Sequence, residues 1–339
     1  MENYYRPILS TGPMRPEQAY RFAGGQLWFS YAEKLNRNAP ALVVPAKDVP
    51  EDWLETWVRP RTPILGMSFE MPKVMGIINI TPDSFSDGGR FAKSDIAVNE
   101  AHEMAKAGVD MIDIGGESTR PGAKLIASTI EIARTASVIE QISQSLSIPI
   151  SIDTRKAAVA KAAVSAGAGL VNDVSGFTYD DALMGFCASA KLPVCVMHSK
   201  GDPTTMQDQP KYADVLLDIY DFLCSQIEKL IAAGISKDVI IADPGIGFGK
   251  SIQHNLTLLN KISIFHGLGV PILLGASRKG FIGKLSGEHD AQNRVGGSIA
   301  AALTAVSQGV QIVRVHDVEQ TRQALAVWQS ITLGSFDGA

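Results

Sequence analysis

The sequence predicts an α/β protein whose larger part is a (β/α)8 TIM barrel, preceded by an N-terminal extension. Two observations predict the barrel. From Val74 onward, eight short apolar segments suited to buried strands alternate with segments of helical character. These eight units occupy about 265 residues, close to the usual size of such a barrel. An open doubly wound sheet is the competing fold, but no G-x-G-x-x-G motif follows the first strand.

The extension, residues 1–70, differs from the predicted catalytic barrel domain, residues 71–339. It holds three of the four tryptophans, several prolines and no repeated motif. We interpret QLWFSYAEKL and EDWLETWV as short helices and ALVV as a strand. Because their aromatic faces need a surface to pack against, the extension is expected to lie on the barrel. The sequence assigns it no function.

The first barrel strand, residues 74–80, is an apolar, β-branched run of the kind that is buried on both faces of a parallel sheet. The other strands are predicted at residues 109–114, 148–153, 169–174, 193–197, 239–243, 270–275 and 311–315. Helices are predicted at residues 96–107, 130–146, 156–166, 212–233 and 255–266. Gly108, Gly167 and Gly234 follow three of these helices, as expected where a helix ends.

The formal net charge of −4 gives no broad cationic surface for nucleic acid or an anionic membrane. The chain shows neither a secretory signal nor an apolar run of about 18 residues, which predicts a soluble cytoplasmic protein. The three cysteines lack C-x-x-C spacing and lie in apolar surroundings. They are expected to be buried thiols rather than a disulfide or zinc framework.

Polar residues follow the predicted strands where each strand ends. In a barrel the carboxyl ends of all strands face one mouth, so residues distant in sequence converge there. In strand order, the residues at these ends are Asn79; Asp113; Asp153; Asn172 and Asp173; Met197 and His198; Asp243; Ser277, Arg278 and Lys279; and Arg314 and His316. One such residue could simply cap a strand. Polar groups at all eight ends indicate a polar ligand, because burying them without partners is costly.

The polar groups are of two kinds. One kind offers carboxylate and amide oxygens, which suit a heterocycle with N–H donors. The other offers positive charge and N–H donors, which suit a phosphate or a carboxylate. The first set is Asp153, Asn172 and Asp243, and the second is Arg120, Lys279, Arg314 and His316. Together they predict a ligand in which a heterocycle is joined to a polyanion.

The chain resembles the dihydropteroate synthases, the folate-pathway enzymes that sulfonamides inhibit, through eight motifs in the same order. They are NITPDSFSDGG, DIGGESTRPGA, SIDT, NDVSG, VMH, DPGIGFGK, SRKGFIG and RVHDV. The resemblance runs from about Val74 to Leu333. It implies a transferase that condenses 6-hydroxymethyl-7,8-dihydropterin diphosphate with p-aminobenzoate, with Mg²⁺, to give 7,8-dihydropteroate and pyrophosphate.

The resemblance also implies site residues. The implied pterin pocket consists of Asp153, Asn172, Asp243 and Lys279, lined by Met197 and Phe248. The implied diphosphate site consists of Asn79, Thr119, Arg120, Arg314 and His316, with Asn79 on Mg²⁺ and Asp87 near the metal through water. The implied p-aminobenzoate pocket is built by mobile loops and consists of Phe85, Thr119, Arg120, Pro121, Lys279 and Gly280.

In the family mechanism the C–O bond to diphosphate breaks first, and the arylamine then attacks a cation delocalised over the dihydropterin. The site must therefore stabilise separating charges. The resemblance implies a catalytic set of Asp153, which would face the cationic ring, with Lys279, Arg314 and His316.

Position 280 departs from the family pattern. Many relatives have serine after the Ser-Arg-Lys triplet, and its hydroxyl and N–H meet the p-aminobenzoate carboxylate, whereas this chain has Gly280. A helix beginning at Gly280 would still offer its N–H to an anion. We expect p-aminobenzoate to bind, while sulfonamide sensitivity stays open.

Two other functions remain as alternatives. A methyltetrahydrofolate-dependent methyltransferase domain would share the pterin carboxylates but needs no diphosphate site, so Lys279, Arg314 and His316 argue against it. A noncatalytic pterin-binding paralogue would not need the intact set of charges.

The small apolar residues between Gln292 and Gln308 suit core packing or a subunit interface. A homodimer is expected, because family members are commonly dimers.

Overall fold

The computed structural model describes residues 2–81, 90–119, 122–201 and 210–335. In the extension a small antiparallel sheet is followed by a helix. The strands are β1 (Asn3–Ser10), β2 (Tyr20–Arg21), β3 (Trp28–Asn36) and β4 (Ala39–Pro45), and the helix is α1 (Glu51–Val58). β3 is the common partner of the other three strands.

The segment QLWFSYAEKL is a strand, so the predicted helix is wrong, whereas the helix at EDWLETWV and the strand at ALVV are confirmed. Phe29, Ala32 and Leu35 are buried at every third position, a spacing that resembles one face of a helix. Pairing with β1 and β4 supplies backbone hydrogen bonds to β3. Its aromatic residues also favour a strand. Tertiary pairing therefore overrides the local spacing.

Eight parallel strands form the barrel, and the predicted fold is confirmed. They are β5 (Lys73–Asn79), β6 (Met111–Gly115), β7 (Ile150–Asp153), β8 (Leu170–Asp173), β9 (Val194–Met197), β10 (Ile240–Asp243), β11 (Leu273–Leu274) and β12 (Ile312–Val315). Their order in the sheet is β10-β9-β8-β7-β6-β5-β12-β11. A parallel bridge between Ala242 and Ile272 joins the two edges. Every predicted strand overlaps an observed one.

Helices connect the strands. They are α2 (Arg90–Lys106), α3 (Ser128–Ser145), α4 (Ala157–Ser165), α5 (Asp181–Ser189), α6 (Val215–Ala232), α7 (Ile252–Asn260), α8 (Gly280–Ser286), α9 (Val295–Val306) and α10 (Val318–Leu333), and a 3₁₀ helix spans Ile262–Leu268. α6 shows why they form: Asp214 accepts hydrogen bonds from the first-turn N–H groups, and Gly234 follows the end. In the part of the chain that is described, no helix is long and apolar enough to cross a membrane.

The barrel interior has an apolar lower layer. Ile64, Met67 and Phe69, from the segment before β5, close the barrel from below, with a bridge between Ile64 and Met67. The strand residues packed on them are Met75, Met111, Leu170, Cys195, Ile241, Leu273 and Ile312. Because side chains alternate along a strand, the residue two positions further on faces the interior one layer higher.

Aromatic contacts hold the extension against the barrel. The ring of Trp53 stacks on Tyr220 of α6, with centroids 5.7 Å apart. The Tyr4 hydroxyl donates to Asp221 Oδ2 at 2.8 Å.

The cysteines are free thiols, with Cys187 and Cys195 buried and Cys224 partly buried.

Arg61 connects α1 to the 3₁₀ helix of the barrel. It is buried, and its Nη1 donates to the carbonyl oxygens of Thr56, at 2.8 Å, and Arg59, at 3.2 Å, where α1 ends. Its Nη2 donates to the carbonyl oxygen of His266 at 3.3 Å. Burial lowers the pKa of Arg61 to about 10, still high enough to keep it charged. Arg61 therefore caps the carboxyl ends of two helices at once.

Arg61→Met is expected to lower the free energy of unfolding by about 3 kcal/mol, because three carbonyl oxygens lose a charged donor. Urea unfolding followed by tryptophan fluorescence measures this change. Arg15→Met, at an exposed position of the same extension, is the control and should be neutral. Equal stability of the two variants would show that the guanidinium does not connect the extension to the barrel.

Candidate active site

The upper layer of the barrel interior is polar. On β6 Met111 belongs to the apolar layer and Asp113 lies above it, and on β10 Ile241 is followed in the same way by Asp243. The residues that this alternation places in the upper layer are Asp113, Asn172, Met197, Asp243 and Arg314, and Asp153 follows the buried Ser151 of β7 in the same way. Asn79 lies two positions beyond Ile77 and therefore faces the interior one layer higher, at the exit of β5. Five of the residues predicted for the site thus share one layer at the carboxyl ends of the strands.

Arg314 lies between two carboxylates of this layer. Its Nε donates to Asp113 Oδ2 at 2.6 Å, and its Nη2 donates to Asp153 Oδ2 at 2.9 Å. Asn172 Nδ2 donates to the same oxygen of Asp113 at 3.1 Å. The sequence predicts Arg314 as an anion contact and places Asp113 at a strand end without a specific role, so their pairing is new. Alternation from Met111 gives the layer of Asp113, but no local signal in the sequence pairs it with Arg314, 201 positions away.

The group formed by Asp113, Asp153 and Arg314 is strongly coupled. Burial raises the pKa of Asp153 to about 7, although the Arg314 guanidinium acts in the opposite direction. Burial alone would lower the pKa of Arg314, but the two carboxylates raise it above its ordinary value. Asp113 Oδ1 is buried and has no hydrogen-bond partner among the described residues. Fully ionised, the group carries one net negative charge and therefore attracts a cation.

Lys279 faces the exit of β10. Its Nζ lies 4.5 Å from the centroid of the Phe248 ring, and it donates to the carbonyl oxygen of Ile246. Burial lowers the pKa of Lys279 to about 8, with Asp243 opposing the shift. Asp243 Oδ1 accepts from the Gly245 N–H at 2.7 Å, and burial raises the pKa of this carboxyl. Asp243, Phe248 and Lys279, predicted for the pterin pocket, are therefore neighbours.

Arg278, directly before Lys279, is held in a strained turn. Its φ is +57°, a left-handed conformation that costs about 1–3 kcal/mol for a residue with a side chain. Its Nε donates to Asp317 Oδ2 at 3.0 Å, and its backbone N–H donates to Ser298 Oγ at 2.9 Å. These contacts direct Arg278 toward the exit of β12 while Lys279 faces β10.

Asn79, Thr119 and His316 lie at the exits of β5, β6 and β12, and all three are partly buried. His316 Nδ1 lies 3.0 Å from Ser277 Oγ, and the backbone N–H of His316 donates to the same hydroxyl oxygen at 3.2 Å. Three of the five residues predicted for the diphosphate therefore occupy the rim on the side of β5, β6 and β12.

A network of buried charges lies behind this rim and was missed by the sequence reasoning. Lys156 Nζ donates to Glu117 Oε1 at 2.9 Å, to Glu131 Oε2 at 2.8 Å and to the carbonyl oxygen of Ile126 at 2.8 Å. Thr154 Oγ1 donates to Glu131 Oε1 at 2.7 Å. Burial alone would lower the pKa of Lys156, but its two carboxylate partners raise it. The network connects the exit of β6 with the exit of β7.

His198, at the exit of β9, supports the wall of the mouth from behind. Its Nδ1 lies 2.9 Å from Lys250 Nζ, which also donates to the carbonyl oxygen of Phe248 at 3.0 Å. The ring meets Phe222 edge-on, and burial lowers the pKa of His198 to about 2, so the side chain is neutral. Gly245, with φ +69°, makes this packing possible, because a Cβ there would lie 1.9 Å from the His198 carbonyl oxygen.

Four predicted site residues lie outside the described ranges: Phe85, Asp87, Arg120 and Pro121. Of the others, Met197 is buried at the end of β9, and Gly280 is the exposed first residue of α8. A Cβ added to Gly280 would meet no heavy atom within 4 Å. A serine side chain would therefore fit at this position.

The sequence profile of the pterin-binding enzymes matches residues 75–316. The chain is 42% identical to the dihydropteroate synthase of Synechocystis sp. over 285 residues, which cover 82% of this chain and 99% of that protein. It is 44% identical to the Escherichia coli K12 dihydropteroate synthase over 256 residues, covering 76% of this chain and 90% of that protein. The chain belongs to the dihydropteroate synthase family.

Solved structures of this family share the barrel. The Xanthomonas albilineans dihydropteroate synthase with 4-aminobenzoic acid superposes with a TM-score of 0.75 at 43% identity, covering 80% of this chain and 98% of that one. The Yersinia pestis dihydropteroate synthase with a sulfonamide drug also gives 0.75 at 43% identity, covering 78% and 96%. Dihydropteroate synthases are transferases of folate biosynthesis, and these relatives do not favour the methyltransferase alternative.

The pH dependence of kcat/KM is expected to be a narrow bell. As pH falls through about 7, Asp153 gains a proton and loses the charge that attracts a cation. As pH rises through about 8, Lys279 becomes neutral. Initial rates of pyrophosphate release measured between about pH 5 and 10 give both limbs. Lys279→Arg keeps a charge at high pH, so it should move the alkaline limb upward. If the alkaline limb stays at the same pH in Lys279→Arg, a group other than Lys279 causes it.

Proposed function

We propose that the mouth of this barrel condenses 6-hydroxymethyl-7,8-dihydropterin diphosphate with p-aminobenzoate to give 7,8-dihydropteroate and pyrophosphate. One observation carries the assignment of the site: the net negative group of Asp113, Asp153 and Arg314 lies in the polar layer of a chain of this family. Such a group stabilises positive charge on a ring above it. The reaction of the family creates positive charge on the ring.

The dihydropterin ring would bind among the oxygen-bearing side chains of the polar layer. Its aminopyrimidine edge carries N–H donors, which suit Asp243 and Asp153, and its carbonyl oxygen suits the Lys279 ammonium. The hydrogen bond from Asn172 Nδ2 to Asp113 orients the Asn172 amide and leaves its oxygen as the acceptor for the ring. Met197 and Phe248 would line the pocket.

The reaction begins when the C–O bond between the methylene carbon and the diphosphate breaks. The electron pair leaves with pyrophosphate, and positive charge spreads over the dihydropterin. The lone pair of the arylamine nitrogen then forms the new C–N bond, and that nitrogen loses one proton. The work of the protein is to stabilise the separated charges, with Asp153 facing the cation and His316 and Arg314 facing the anion.

Arg314 can serve both charges. A guanidinium has five N–H donors, and two of those on Arg314 are directed at Asp113 and Asp153. The remaining N–H donors of the guanidinium can bind an oxygen of the departing pyrophosphate. Arg314 therefore has two roles: it is the counter-charge for the two buried carboxylates, and it binds the departing pyrophosphate.

Mg²⁺ would bind at Asn79. An amide oxygen is a hard donor that suits this ion, and Mg²⁺ commonly binds through one or two protein oxygens together with waters and substrate phosphates. Bound Mg²⁺ neutralises part of the diphosphate charge. Asp87 is proposed near the metal through water. The proposed diphosphate contacts are Asn79, Thr119, Arg120, Arg314 and His316.

p-Aminobenzoate would bind across the mouth, between the exits of β6 and β11. The described residues at this place are Thr119, Lys279 and Gly280. The backbone N–H of Gly280, at the start of α8, would meet the carboxylate of p-aminobenzoate. Phe85, Arg120 and Pro121 complete the proposed pocket.

Asp153→Asn is expected to lower kcat about a thousandfold and to change KM for the pterin diphosphate only a few-fold. The substitution keeps the shape of the side chain and removes the charge. A unit charge pair at about 4 Å with an effective dielectric constant of ~20 is worth roughly 4 kcal/mol, or about three decades of rate. Steady-state release of pyrophosphate with both substrates measures this effect.

Asp173→Asn is the control for that experiment. Asp173 is also buried at a strand end, but its carboxylate accepts from Ser175 and from the Phe177 N–H, so its loss should lower stability and leave kcat largely intact. Near wild-type kcat in Asp153→Asn would remove Asp153 from the mechanism. If the unmodified chain binds pterin and releases no pyrophosphate, the noncatalytic alternative is correct.

We also propose a homodimer formed through α9. Gly296, Ala300 and Thr304 are exposed and four residues apart, which leaves a smooth helix face for close contact with a second copy. Sedimentation velocity should give twice the chain mass of 36.2 kDa, and Ala300→Arg should give the single-chain mass. A monomer in the unmodified protein would contradict the proposal.

A further inference from the structure

Two consecutive glycines end β6 and begin its loop, and the structure gives them different surroundings. A Cβ on Gly116 would lie 2.7 Å from Thr135 Cγ2 and 3.0 Å from Glu131 Cγ. Gly116 is therefore required because the strand exit packs tightly on α3. Its neighbour Gly115 has no such contact on that side.

Gly115 is not required by packing or by backbone conformation. A Cβ there would lie 3.4 Å from Asn79 Oδ1 and 3.8 Å from Asp153 Oδ2, which are ordinary contact distances. Its φ lies outside the left-handed region, so alanine could adopt the same backbone. The protein could therefore carry a methyl group at this point without strain.

Gly115 also occupies a distinctive place at the exit of β6, two positions beyond Asp113. In the register of the sheet it pairs with Asn79 of β5 on one side and with Asp153 of β7 on the other. Asn79 is proposed for the diphosphate, and Asp153 is proposed for the ring. The missing side chain thus leaves a gap between the two halves of the proposed site.

We propose that Gly115 is a specificity-determining residue whose missing side chain leaves a passage for the one-carbon arm that joins the ring to the diphosphate. This inference rests on the proposed function and refines it. The ligand class it selects is a flat heterocycle that carries a diphosphate on a single methylene. A methyl group at position 115 would fill the passage and leave the pockets at both ends in place.

Gly275 provides a contrasting position. It also faces the interior, and a Cβ there would lie 3.8 Å from Asp243 Oδ2, at the ring end of the site. A methyl group at Gly275 would therefore intrude on the ring pocket itself. The two glycines predict different patterns of ligand loss.

Calorimetric titration of the full chain with three probes tests the passage: pterin, pyrophosphate with Mg²⁺, and the joined dihydropterin diphosphate. In Gly115→Ala the Kd of each separate piece should change less than about threefold, while the Kd of the joined ligand should rise about 30-fold, as overpacking of a filled site predicts. In Gly275→Ala pterin alone should already bind more weakly, and pyrophosphate should bind unchanged.

Thermal unfolding supplies the structural control. Gly115→Ala should melt within about 2 °C of the unmodified chain, and Gly116→Ala should melt clearly lower. The inference is overturned if Gly115→Ala binds the joined ligand normally, or if it loses both separate pieces and melts early. If the unmodified chain binds the ligands but does not release pyrophosphate with p-aminobenzoate, the proposed function fails, while the binding pattern still tests the passage.

Discussion

The charged group of Asp113, Arg314 and Asp153 is the interaction on which the rest of the mouth depends. Arg314 reaches from β12 past β5 to β6 and β7, so the group spans the barrel interior. Without the guanidinium, two buried carboxylates would lose their counter-charge, and breaking a buried pair typically costs about 3–5 kcal/mol. With it, one net negative charge remains where the cation is proposed to form. The hydrogen bonds that make these charges tolerable therefore also orient them for catalysis.

Strand alternation explains why much of the site could be predicted from the sequence. Short strands that end in polar residues place those residues above an apolar layer, and Asp153, Asn172 and Asp243 follow from this pattern alone. The partner of Arg314 does not follow from it. Arg314 and Asp113 are 201 positions apart, and their hydrogen bond depends on distances across a closed barrel. Local sequence can give the layer of a residue but not its partner within that layer.

In the extension, too, the local sequence pattern predicts some elements and misses those that depend on distant partners. α1 could be predicted because Trp53 and Trp57, four positions apart, form one buried face of a helix. β3 could not, because its buried residues follow a helical spacing and only its partner strands make it extended. Arg61 is a charged residue in a polar-looking loop, and its partners are the carboxyl ends of two helices that are far apart in sequence. Long-range pairing decides each of the two cases that the local pattern missed.

The buried network around Lys156 is hard to explain by stability. An apolar replacement of a buried ion-pair network is often at least as stable, since desolvation offsets most of the attraction between the charges. Its geometry is more informative: Lys156 holds Glu117 at the exit of β6, and Glu131 holds Thr154 beside Asp153 at the exit of β7. Charge stabilisation in a transition state needs groups that are already in place, because moving them during the reaction consumes the gain. Fixed strand exits, rather than added stability, are what this network contributes to the mouth.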